Sequence, residues 1–151
     1  MKGFYDITTA IRTHFETDGI VNTITEGDIF DVDLNKQTIF PLVHLMVNNA
    51  TFETNVVRFN ISLIAMDIVN ISKEETTDIF RGNSNEQDVL NTQLEVLNRA
   101  YAMLLHGDLW DDKYVVDGNP TCEPFTERFE NYLAGWTMTL DILIPNEVTI
   151  C

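Results

Sequence analysis

The sequence predicts an α+β domain, a mixed or antiparallel sheet of about five strands packed against an N-terminal helix and a long central helix. Three patterns lead there. Apolar residues recur at three- and four-residue steps from Phe4 and again from Leu90, and they alternate strictly from Val57 and from Trp136. No internal repeat, low-complexity tract or linker separates these segments, so residues 1–151 read as a single domain, of a length that buries its core without disulfides.

The first element spans Phe4 to about Thr17, with Phe4, Ile7, Ile11 and Phe15 forming the stripe of an amphipathic helix. Asp18-Gly19 stops it, glycine being able to take the left-handed conformation of a helix end. The β-branched run Ile20 to Ile24 reads as a strand. A polar, acidic connection from Glu26 to Thr38 then leads through Ile39-Phe40-Pro41 into a second strand, Leu42 to Val47. Asn48-Asn49-Ala50-Thr51 supplies turn chemistry. From Val57 a half-buried antiparallel strand sets Val57, Phe59, Ile61, Leu63 and Ala65 on one face and Arg58, Asn60 and Ser62 on the other. Its far end, Ile64 to Val69, is apolar on both faces, as expected where a second layer or a neighbouring subunit covers it.

Asn70 to Asn85 is polar and too long for a tight turn, so it reads as an exposed loop. A long helix follows from Glu86 to about His106, with Leu90, Leu94, Leu97, Tyr101 and Leu104 as its apolar stripe, Ser84 or Asn85 as its cap and Gly107 as its stop. A turn at Asp117-Gly118-Asn119-Pro120 leads into a strand at Cys122–Tyr132. In the last strand Trp136, Met138, Leu140, Ile142 and Ile144 alternate with polar residues before Pro145. The order is helix, three strands, long helix, two strands.

Charge narrows the function classes. There are 24 acidic against 9 basic residues, a net charge of −15, and the basic residues are scattered, which argues against direct nucleic-acid binding. Cys122 and Cys151 lie far apart outside any ligand spacing and read as free thiols. The N-terminal residues lack the apolar core of a secretory signal and no stretch approaches a membrane span, so a cytoplasm-like compartment and no membrane partner are expected.

Asp31-Val32-Asp33-Leu34-Asn35 begins like an EF-hand Ca²⁺ loop. However, Lys36 stands where glycine makes the turn, and Leu42 where a bidentate Glu closes the site. It reads as a solvated acidic loop, with a Ca²⁺- or small-molecule-binding domain as the alternative from another class. His14, His44 and His106 each lack a spaced partner, and His44 reads as a satisfied core or interface histidine rather than a ligand. There is no HExxH, nucleophile elbow or phosphate loop. No catalytic, metal-binding or cofactor-binding residue is assigned. The helical Leu/Tyr stripe and the pair Phe125/Phe129 fit either a ligand pocket or core packing; core packing is the commoner reason for such spacing, and both read as core.

Three stretches carry a family resemblance: Phe40-Pro41-Leu42-Val43-His44 opening a strand, Asn85-Glu86-Gln87-Asp88-Val89-Leu90 opening the long helix, and Leu133-Ala134-Gly135-Trp136 before the last strand. With the order of elements, they resemble the tail terminator or tail completion proteins of long-tailed bacteriophages over nearly the whole chain. The resemblance implies a non-enzymatic virion protomer, assembled in the host cytoplasm. It would form a ring, usually of six, that caps the tail tube and joins it to the head connector. Its partners would be other copies of the chain, the tail tube protein and the head-tail connector protein, with genomic DNA passing through unbound. A head-to-tail connector ring meets the same requirements. The surfaces expected to meet a neighbour are Ile64, Met66 and Ile68 at the strand end and Lys73, Glu74, Glu75 and Arg81 in the loop.

Overall fold

A computed structural model describes residues 2–28, 39–71, 75, 77–80, 82–106, 114–128 and 132–146. The elements are α1 (Lys2–Thr17), β1 (Thr23–Glu26), β2 (Leu42–Glu53), β3 (Val56–Ile68), α2 (Glu86–His106), β4 (Val115–Arg128) and β5 (Tyr132–Pro145), the order that the sequence predicts. The five strands make one mixed sheet in the order β1-β2-β3-β5-β4, with β1 parallel to β2 and every other pair antiparallel.

Alternation in β3 and β5 decides which face of the sheet is the core. Val57, Phe59, Ile61, Leu63 and Ala65 are buried, as are Met138, Leu140, Ile142 and Ile144, and all join one cluster with Ile7, Ile11 and Phe15 of α1 and Val96, Leu97, Ala100 and Leu104 of α2. Both helices therefore lie on this one face. Fully burying such a side chain stabilises by roughly 1.5–3 kcal/mol, so β3 and β5, central in the sheet and packed on their whole inner faces, dominate the stability.

Five local expectations are corrected. Helix α1 does not end through a left-handed Gly19: among the described residues the positive-φ glycines are Gly27, Gly82 and Gly118. Instead Asp18 ends it, its carboxylate accepting the Ile20 N–H at 3.0 Å in an Asx turn. The strand expected at Ile20–Ile24 begins only at Thr23 and runs to Glu26.

Strand β2 continues through Asn48–Thr51 to Glu53, because a bulge between Val47 and Asn49 absorbs the turn-forming asparagines. The hairpin turns later, at Thr54-Asn55, where Asn55 takes φ 68°. Strand β4 likewise starts at Val115, and Asp117–Pro120 forms a bulge within it, with Gly118 at φ 73°.

The buried stripe of α2 is also rotated from the leucine series. Val89, Gln93, Val96, Leu97, Ala100 and Leu104 face inward, whereas Leu94 is 37% exposed.

His44, fully buried, is satisfied as expected. Its Nε2–H donates to the Gly27 carbonyl at 2.7 Å, while Nδ1 sits 2.6 Å from the Thr25 hydroxyl. Thr25 and His44 are register partners, so the imidazole pins the short parallel strand β1 to β2.

Candidate assembly interface

With both helices on one side, the other face of the sheet carries no helix among the described residues, and it has two halves. At one end Phe40, Leu42, Met66 and Leu133 form a small buried cluster, with Ile39, Ile64, Ile68 and Phe125 partly buried against it. At the other end the outward positions are polar. Asn48 donates to both the Asn60 side-chain oxygen and Ser62 Oγ, at 2.8 and 2.7 Å, and Asn60 donates to Asp141 at 2.8 Å.

Arg58 is the hub of that polar half. Its guanidinium donates to Glu53 at 2.9 Å, to Asp117 and to Asp141, so one cation ties β2, β3, β4 and β5 together. The Glu53 hydrogen bond, then that of Asp117, hold its pKa above the ordinary arginine value.

The two-sided apolar end of β3 is thus partly covered by the chain itself. Met66, expected at a subunit boundary, is 2% exposed beneath Phe40, Leu42 and Leu133, which removes it from the contact surface. Ile64 and Ile68, on the same outward face, remain half-buried and accessible. In the loop, Glu75 is exposed, while Lys73, Glu74 and Arg81 lie outside the described residues. So do the acidic loop Asp31, Asp33 and Asn35, Phe129, and the His106 side chain. Among the described residues no group of three or more His, Cys, Asp or Glu is placed to hold a metal ion, and no helix is long and apolar enough to cross a membrane.

Two features escaped the sequence reading. The first is a protrusion. The base of the loop is closed by a bridge between Ile71 and Ser84, by Asn85 N–H on the Asn70 carbonyl at 3.1 Å, and by Asn70 N–H on the Asn85 side chain at 2.7 Å. At its tip Asp78 accepts the Phe80 N–H through its side chain and the Gly82 N–H through its carbonyl, at 3.0 and 2.8 Å. The turn holds Ile79 and Phe80 outward, 93% and 89% exposed. A lone apolar pair inside a polar stretch was the signal available in the sequence. The hairpin-tip residue Phe52, 75% exposed, is a second apolar projection.

The second feature is a groove of about 350 Å³ between α2 and the edge strand β4, lined by Leu94, Tyr101, Pro120, Cys122 and Met138 with Asn91, Glu95 and Asn98 among its walls. Leu94 and Tyr101, read as core from their spacing, are groove residues. Burial pushes the Cys122 thiol pKa up.

The three stretches that carry the resemblance converge on the Met66–Val69 end of β3. Phe40, Leu42 and Leu133 pack on Met66 from the outward side, and Val89 and Ala134 pack with Val69 on the other. No protein-family model matches the chain, and no curated protein does.

Proposed function

We propose that this chain is a structural protein of a tailed-phage virion that forms a closed ring at the head-proximal end of the tail tube and joins it to the head connector. The observation that carries this reading is the one-sided sheet. The face that carries no helix among the described residues offers half-exposed Ile64, Ile68 and Phe125 beside a polar half organised by Arg58, an apolar core with a polar rim such as subunit contacts use. The resemblance supplies the kind of neighbour, and its three stretches meet at that end of the sheet. The net charge of −15 per chain suits a ring through which DNA slides, because like charge keeps the phosphate backbone from sticking over the roughly 10 Å that salt leaves unscreened.

Purified tail tubes lacking this protein test the role. Incubation with the protein should place a single ring on one end of each tube, visible by electron microscopy. Bare ends on otherwise intact tubes, at protein concentrations where rings form in solution, would rule the role out.

A further inference from the structure

We propose that Pro124 keeps the free edge of β4 from pairing with the β4 of a second copy, so that copies cannot join edge to edge. The sheet is open, in the order β1-β2-β3-β5-β4, and its two edge strands are unequal. Strand β1 has 4 residues, a short template for another strand, whereas β4 has 14 and among the described residues pairs on one side only, with β5. From Thr121 to Arg128 its register with β5 is unbroken, and the groove beside α2 leaves Pro120 and Cys122 uncovered on the helix side. Such an edge presents a row of unpaired N–H and C=O groups, which a second β4, running antiparallel, matches by symmetry.

Proline fixes which groups those are. Pro124 stands opposite Trp136 within the ladder. Having no N–H to donate, it fits there because its nitrogen points away from β5, toward the free edge. Backbone direction alternates along a strand, so Cys122 and Thr126, two residues to either side, turn their N–H and C=O to the same edge, while Glu123 and Phe125 turn theirs to β5. No backbone hydrogen bond outside the ladder reaches Cys122 or Thr126 among the described residues. The edge therefore reads donor, gap, donor. An incoming strand centred here would leave a carbonyl unpaired at the gap and would meet the exposed pyrrolidine ring. On one side the register shift between Asp117 and Thr121, with Gly118 at φ 73°, bends the strand out of line, and the exposed Glu123 adds a charge beside the proline. This guard acts whether or not the copies form a ring.

Amide exchange in the parent protein, followed by NMR, tests the direction of the backbone. The N–H groups of Cys122 and Thr126 should exchange about tenfold or more faster than those of Glu123 and Phe125, which bond to β5. Equal protection at all four would mean that the edge is already covered, and would overturn the proposal.

Pro124→Val tests the guard itself, because it restores the N–H in a residue that favours strands. The variant should still melt cooperatively, and the concentration at which light scattering detects species larger than the parent's should fall about tenfold, with Thr126 now protected. Adding Thr126→Pro blocks the same edge two residues along and should restore the parent's behaviour. Scattering from Pro124→Val no greater than the parent's would overturn the proposal. Larger species that persist in a folded Pro124→Val/Thr126→Pro double variant would overturn it as well, since they would form by some route other than the β4 edge.

Discussion

Trp136 donates its indole N–H to the backbone carbonyl of Leu90 at 2.8 Å, fastening the start of β5 to the first turns of α2. These residues are 46 positions apart, and each sits in one of the stretches on which the family resemblance rests. The resemblance is therefore carried by residues that hold the long helix on the sheet. Replacing Trp136 with Phe keeps an aromatic ring but removes the donor, and should cost about 1–2 kcal/mol from the lost hydrogen bond and volume. Urea unfolding of the two proteins measures this, and an unchanged midpoint would mean that the bond contributes nothing.

Gly135 sits opposite Met66 in the β3–β5 ladder. A Cβ built on it would sit 2.0 Å from the Ala65 carbonyl oxygen and 2.9 Å from Met66 Cα, both backbone atoms that cannot swing aside. Gly135→Ala should therefore force the two central strands apart, with a loss of about 1–3 kcal/mol read from the thermal melt. A melting temperature equal to the parent's would show that the sheet absorbs the methyl group without strain.

Gln93 is 1% exposed on the inner face of α2, and neither of its amide atoms has a hydrogen-bonding partner among the described residues. Burying that amide costs stability without return. Gln93→Met, similar in shape and apolar, should raise the unfolding free energy by about 1–2 kcal/mol. A destabilised variant would reveal that the amide is satisfied.

These three positions mark how far the sequence could be read. Element order and the facing of β3 and β5 were legible because strict alternation leaves one face for the core. The facing of α2 was not: its leucines suggested one stripe, but the buried series runs through Val89, Gln93 and Val96, and a buried glutamine has no hydropathy signal. Turn chemistry also misled at Asn48–Thr51 and Asp117–Pro120, since bulges and turns draw on the same residues. At the interface, Ile64 and Ile68 were readable as apolar residues on an outward face, whereas Met66 was covered by partners distant in sequence. The groove was invisible because its walls come from α2, β4 and β5.

His14 predicts a pH dependence. Burial holds its pKa below the ordinary 6.5, outweighing the attraction of Asp18, while Arg99 lowers it further; Arg99 and Asp18 are themselves paired at 2.9 Å. The unfolded chain thus takes up the proton first as pH falls. The contribution of His14 is complete above about 6.5 and is lost as pH drops through that value toward the lower folded pKa. Asp67 works in the opposite sense, because burial raises its pKa from 3.8 and the stability it contributes in acid is lost as pH rises through its window. In an Asp67→Asn background, His14→Leu should flatten the decline in stability below pH 6.5, as followed by urea midpoints across that range. A decline of undiminished slope would exclude His14 as its source.

Self-assembly into a closed ring is the claim on which the functional reading stands, and native mass spectrometry of the concentrated protein, with electron microscopy of the same sample, tests it most directly. The account predicts one dominant closed species whose mass is a whole multiple of 17.3 kDa, six being the multiple that the resemblance implies. It further predicts that Ile68→Asp lowers the yield of that species while the variant still unfolds cooperatively. A monomer at every concentration, with and without tail tubes to template assembly, would contradict it.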